Sequence, residues 1–371
     1  MTRWKKAILA LLAVGALLAG ATWLTFQLPV FGGRAEGSRL ERMRQSKQFH
    51  GGRFENTPPY VSNLSLSGEL KSYLGNEVRE PQFQIPVQRM DPSDLARPVP
   101  PGLRAWWLGH ASVLLEIDGV RILTDPVLSK RASPFQFIGP ARLHPAPLAI
   151  EELKNIDAVV ISHDHFDHLD MDTIQALARG GAHFFVGLGI GAHLERWGVP
   201  AAQVHDMDWW EHADVRGVTI HCAPARHYSG RKSMDNSTLW SSWMLKGPNH
   251  SVYFSGDTGY ANHFKQVRER LGAPELALIK IGAYGDTWLD IHMNPESAVR
   301  AQRDLGAATL LPVHWGTFNL AYHAWEEPIV RSVAAARAQG VQIVTPRPGE
   351  KFEAGVPFVN RTWYLKGTQP Q

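Results

Sequence analysis

From Leu103 onward the chain breaks into short apolar runs separated by turn residues. Ser112–Ile117 alternates, with Val113, Leu115 and Ile117 on one side of a pleated strand. Asp118-Gly119 is a hairpin turn signal, and Val120–Thr124 reads as the returning strand. Apolar runs at 158–162, 218–222, 252–255 and 276–281, and at Thr309–Val313, predict further strands. Stretches such as 172–179 and 296–305 predict helices between them. Strands that alternate with helices predict an α/β or α+β sandwich and argue against an all-β fold.

The N-terminal pattern is different. Arg3, Lys5 and Lys6 precede an uncharged stretch over residues 7–33. About 20 helical residues at ~1.5 Å rise cross a hydrocarbon core of about 30 Å, so 7–26 is long enough to span one. A cleaved signal peptide would end near Ala19-Gly20-Ala21, but the apolar character continues through Trp23, Leu24 and Phe26, which favours a signal anchor over 1–33. The cations before the span argue for a cytoplasmic N-terminus, whereas Arg34, Arg39, Arg42, Arg44 and Lys47 behind it pull the other way. The expectation is an inner-membrane anchor carrying a periplasmic catalytic domain. The alternative is a processed protein, periplasmic or associated with the outer membrane. Residues 34–100, with Pro at 58, 59, 81, 86, 92, 98 and 100, read as a tether and wrapping segment. The domain itself is expected over 101–365.

Composition narrows the chemistry. The only cysteine, Cys222, leaves no internal disulfide and no CxxC motif, and its place beside Ile220 suits a small core residue. A formal charge of +3 without a basic cluster argues against a nucleic-acid partner.

The segment His163-Asp164-His165-Phe166-Asp167-His168 directly follows the apolar run at 158–161. Three imidazoles and two carboxylates so close together are costly to bury without partners and well suited to a divalent metal. Nitrogen and oxygen donors without thiolate suit zinc, with iron or manganese as alternatives. His227, Asp257 and His314 each follow a predicted strand in the same way. Taken singly, an Asp before Thr-Gly is a turn residue and a lone His a satisfied core residue. Four strand ends carrying such residues together point to convergence on one site.

These segments carry a resemblance. Trp107-Leu108-Gly109-His110-Ala111-Ser112, Leu123-Thr124-Asp125-Pro126, Arg131-Ala132-Ser133-Pro134, the metal motif, Ser255-Gly256-Asp257-Thr258-Gly259, Ile281-Gly282-Ala283-Tyr284 and His314-Trp315-Gly316-Thr317-Phe318 resemble the metallo-β-lactamase superfamily. Within it they are similar to the branch of N-acyl-phosphatidylethanolamine-hydrolysing phospholipase D. The resemblance covers roughly residues 50–360 and omits the apolar N-terminus. It implies a four-layer αββα sandwich and two metals, one held by His163, His165 and His227, the other by Asp167, His168 and His314, with Asp257 between them. It implies attack of a metal-held hydroxide on the phosphorus of a phospholipid, with Asp167, Asp257 and His292 as the catalytic set.

Two zinc ions, two carboxylates and a hydroxide leave a formal charge of plus one, matched to a phosphodiester anion. A lactonase, another phosphoesterase, or a non-enzymatic membrane factor remain as alternative readings. His292 precedes a helix near Pro295, where a helix-capping loop is an equal alternative to a substrate contact. His110, Asp125 and Tyr284 are expected to support the ligands, Asp125 as a partner of a ligand His or as a turn residue. Asp164 is either a support for the ligands or solvated. Trp209 and Trp210, or Phe135 and Phe137, are candidates for an apolar entrance, against the ordinary reading of aromatics as core.

Overall fold

Two seven-stranded sheets dominate the molecule. The computed structural model describes residues 2–61 and 77–365, so part of the expected tether, 62–76, lies outside the described residues. The first sheet is built from β1 (Leu103–Gly109), β2 (Ser112–Ile117), β3 (Val120–Thr124), β4 (Ala158–Ile161), β5 (His183–Gly187) and β6 (Val204–Met207). The second takes β7 (His212–Val215), β8 (Val218–Ala223), β9 (Ser242–Lys246), β10 (Ser251–Phe254), β11 (Leu276–Lys280), β12 (Thr309–Val313) and β13 (Gln342–Ile343). Finally β14 (Lys351–Glu353) returns to pair with β1.

Each sheet follows the same plan, with antiparallel pairings on one side and parallel pairings on the other. In the first, β14-β1-β2-β3 are antiparallel and β3-β4-β5-β6 parallel. In the second, β7-β8-β9-β10 are antiparallel and β10-β11-β12-β13 parallel. Parallel strands end at the same sheet edge, so the loops that follow them can meet.

Every residue of β2 is buried, because the first sheet is covered on both faces. Val113, Leu115 and Ile117 enter the core shared with Ile220, Cys222 and Leu245 of the second sheet. Leu114 instead joins Val159 and Ile161 beneath two helices, α1 (Met171–Arg179) and α2 (Gly191–Arg196), through Ile174, Leu177 and Leu194. Glu116 shares that outer face and is buried against the Arg121 guanidinium at 2.7 Å. Three later helices, α3 (His263–Leu271), α4 (Pro295–Leu305) and α5 (Glu327–Gln339), add Phe264, Val299 and Ile329 to the core of the second sheet. The result is the four-layer αββα sandwich.

The sequence pattern predicts β2, β3, β4, β8, β10, β11 and β12 but not the edge strands β6, β7, β13 and β14, nor β1, nor the interior strands β5 and β9. Strands β5 and β9 are buried almost throughout, and neither shows a polar-apolar alternation. At the N-terminus, Arg3–Thr25 forms a helix of 23 residues with no buried position, long and apolar enough to be a membrane anchor or a signal sequence.

Candidate metal centre

The parallel halves of the two sheets place the candidate ligands. His163 to His168 follow β4, Asp257 follows β10 and His314 follows β12. His227 follows the antiparallel strand β8, and His110 sits in the turn between β1 and β2. His110, Asp125 and His314 have positive φ values of 52°, 32° and 63°. That conformation is uncommon for residues with a Cβ, and here it turns the chain sharply at the strand ends. The turns are tied together, since His314 N–H donates to the His110 carbonyl at 2.9 Å.

Two groups of donors result. In the first, His163 Nε2 lies 2.8 Å and His227 Nε2 3.4 Å from His165 Nδ1. His227 Nδ1 faces the Ile291 carbonyl at 3.2 Å, which makes it the N–H donor and leaves Nε2 with a free lone pair. In the second, Asp167 Oδ2 stands 3.0 Å from His110 Nε2, 3.3 Å from His168 Nε2 and 3.4 Å from His314 Nε2. Asp257 Oδ2 lies between the groups, 3.1 Å from His314 Nε2, 3.5 Å from His168 Nε2 and 3.9 Å from His227 Nε2. His168 Nδ1 is held by Asp125 at 2.6 Å, and Asp125 in turn accepts from Ser162 N–H at 2.7 Å.

The donors fit a metal. His168 Nε2, His314 Nε2 and Asp257 Oδ1 are buried without a hydrogen-bond partner, a costly state for polar atoms on three neighbouring side chains. His163 and His227 are held well below the ordinary imidazole pKa by burial and by neighbouring imidazoles, hence neutral as ligands must be. Burial pushes Asp167 and Asp257 upward. The surrounding imidazoles, and Lys280 beside Asp257, outweigh it and hold both carboxyls well below their usual range. Burial also opposes charge on His168, yet Asp167 and Asp257 raise its affinity for a proton. The carboxylates therefore attract positive charge to this point, as a cation-binding site requires.

Comparison with known proteins agrees with this geometry. The beta-lactamase superfamily domain matches residues 120–315, which contain the metal motif, His227, Asp257 and His314. The chain belongs to the metallo-β-lactamase superfamily. An uncharacterized protein of Mycobacterium tuberculosis is 44% identical over 96% of this chain and 98% of its own. N-acyl-phosphatidylethanolamine-hydrolyzing phospholipase D 1 of Caenorhabditis elegans is 37% identical over 68% of this chain and 76% of its own. The solved structure of a metallo hydrolase from the archaeon Ignicoccus hospitalis superposes with a TM-score of 0.53 at 27% identity, covering 68% of this chain and 98% of that one. The protein is a metal-dependent hydrolase of this superfamily and a relative of the N-acyl-phosphatidylethanolamine-hydrolysing branch.

Around the ligands of this metallo-β-lactamase-fold hydrolase, the remaining candidates divide. His292 joins the cluster, its Nδ1 3.7 Å from Asp257 Oδ2. His110 is closer than a supporting residue need be, since its Nε2 reaches Asp167 directly. Asp164 is fully buried, accepting from Gly230 N–H at 2.7 Å and facing His193 Nε2 at 3.2 Å. Tyr284 stands further out, donating to Glu327 at 2.6 Å and stacking on His323. Trp209 donates to the Trp240 carbonyl and packs on the core, whereas Phe137 is 80% exposed. Larger clefts lie elsewhere, one of about 840 Å³ against Arg97, His183, His205 and Arg216. Beside the cluster there is a narrow crevice between His110, His314, Phe318 and His323.

Lys280 is the residue that the sequence pattern did not single out. It closes an apolar run, yet its ammonium is buried and meets His292 Nδ1 at 2.6 Å. Burial lowers its pKa to about 8, with Asp257 and Asp167 opposing, so it carries charge at neutral pH. The only available signal was a lysine inside an otherwise apolar strand.

Proposed function

We propose that this hydrolase is a di-zinc phosphodiesterase with a phospholipase D-type reaction on N-acyl-phosphatidylethanolamine or a related lipid. The observation that carries the reading is the convergence of His163, His165, Asp167, His168, His227, Asp257 and His314 in a chain 37% identical to a phospholipase of that activity. His163, His165 and His227 would hold one ion, and Asp167, His168 and His314 the other, with Asp257 shared. When bound, the ions supply an acidified water as nucleophile and Lewis-acid stabilisation of phosphoryl charge.

The chain's own residues supply the rest. Asp125 fixes His168 through Nδ1, so that Nε2 faces the site. Lys280 donates to His292 Nδ1, which leaves Nε2 as the protonated nitrogen and a donor for a phosphoryl oxygen. The lysine also adds a positive charge near Asp257, which favours an anionic diester over a neutral lactone. We assign residues 1–33 to a membrane anchor or signal and 101–365 to the hydrolase domain. The apolar helix Arg3–Thr25 supports a membrane location, and placement of the domain in the periplasm is part of the same proposal.

The test is metal analysis of the purified full chain together with mass spectrometry of its lipid products. The expected products are phosphatidic acid and an N-acylethanolamine, formed as water adds across the phosphorus–oxygen bond. Rapid turnover of a lactone with no phosphatidic acid released would overturn the reading.

A further inference from the structure

The apolar N-terminal helix is attached to the metal loop itself. Residues 27–33 leave its end and bind the domain through three donors. Arg196 reaches the Gln27 carbonyl at 2.5 Å, Trp197 Nε1 the Pro29 carbonyl at 2.6 Å, and Arg231 Nε the Val30 carbonyl at 2.9 Å. Arg231 is buried, and its Nη1 donates to the carbonyls of Asp164, inside the metal motif, and Leu169, directly after it. Its guanidinium lies 4.0 Å from the Phe166 ring centroid. Phe166 stands between the candidate ligands His165 and Asp167.

A ladder of aromatic rings follows the same path. Phe26 meets Phe31 at 5.1 Å, and Phe31 meets both Phe166 and Phe135 at 6.1 Å. Phe135 stacks on Phe137 at 5.4 Å. The ladder ends in solvent, with Phe137 80% and Ile138 59% exposed next to one another. Phe31 is buried and Phe26 and Phe135 are half-buried, so the ladder joins the exposed Leu28, Phe137 and Ile138 to a membrane-length helix through packed rings. Exposed Arg34, just past residues 27–33, and Lys130, in the loop that carries Phe137, add positive charge suited to anionic headgroups.

We propose that this face, comprising residues 26–30 with Phe135, Phe137 and Ile138, lies in the surface of a lipid bilayer and presents the metal loop to it. Residues 27–33 act as a strap that fixes the distance between membrane and metal loop. A lipid headgroup would then reach the cluster without leaving the bilayer surface. This last step rests on the function proposed above, whereas the docking itself does not.

The test uses the full chain in nanodiscs of phosphatidylethanolamine and phosphatidylglycerol that contain spin-labelled lipid. Cys222 is buried, so an environment-sensitive fluorophore goes to an introduced thiol, Ile138→Cys in one variant and the exposed Val359→Cys in another. A side chain buried about 5–10 Å into the headgroup and acyl boundary comes within reach of the quencher. Emission from position 138 is therefore expected to be lost, and emission from position 359 to be retained. Equal quenching at the two positions, whether strong or absent, refutes the docking. Quenching confined to position 138 with no lipid hydrolysis would refute the proposed function and leave the docking in place.

Discussion

Lys280 Nζ lies 2.6 Å from His292 Nδ1, and both residues are buried. An ammonium can only donate, so it fixes the imidazole tautomer. Lys280→Met should lower kcat by about 10–100-fold, the usual cost of losing a group that orients another in a metal site. Metal content should stay unchanged, because Lys280 is not a ligand. His292→Ala should lower kcat likewise, and the double variant should be little worse than either single one. Additive losses in this cycle would show that the two residues do not act together.

Asp125 is predicted to act through His168. Its carboxylate holds Nδ1 at 2.6 Å from a fully buried position. Asp125→Ala should weaken metal binding by about 10–100-fold, and activity should recover as metal is added in excess. Titration with zinc while turnover is followed tests this, and a variant with native affinity would rule it out.

Asp257 has a different role, because its Oδ2 faces His314, His168 and His227 together. Asp257→Asn keeps the shape and removes the charge. Hydrolysis should be lost even with metal in excess, and metal stoichiometry should fall. Retention of full activity would remove Asp257 from the centre.

Chelation should destabilise the fold as well as stop the reaction. The unpartnered atoms of His168, His314 and Asp257 are left without the cation that offsets their burial. A ligand that binds only the folded state stabilises it by mass action, by about 4 kcal/mol at a thousandfold excess over Kd. The thermal midpoint should drop on dialysis against chelator and return with metal. A midpoint that is indifferent to metal would contradict the fit of the site.

His144 gives a pH prediction. Burial first, then the Arg142 guanidinium, push its pKa down from 6.5 to about 3. Its Nδ1–H donates to the Pro145 carbonyl, and Nε2 accepts from the Thr317 hydroxyl at 3.0 Å. The folded state thus keeps this ring neutral while the unfolded chain protonates. The contribution is fully present above 6.5 and is lost as pH falls from there towards 3. Denaturant titrations near neutrality and near pH 5 should show a smaller acid loss for His144→Gln than for the parent. An identical loss in both would exclude His144 as a source of the acid sensitivity.

Much of the centre could be read from the sequence, for a local reason. A strand is recognisable from a few neighbouring residues, and a ligand at its end is fixed by sequence adjacency. His163 after β4, Asp257 after β10 and His314 after β12 are cases of this kind. The strands β5 and β9 gave no alternation, because sheets covered on both faces bury consecutive residues.

The sequence by itself determined the donor types, their positions at strand ends and the apolar N-terminal span. Only the tertiary structure decided which partner each donor received. Asp125 reaches His168 across 43 positions, Lys280 reaches His292 from another element, and Arg231 ties residue 30 to the metal loop across 201. Such pairings depend on how the sheets stack and where the loops cross. No periodicity along the chain records that, because the energy that selects it lies in contacts between segments remote in sequence.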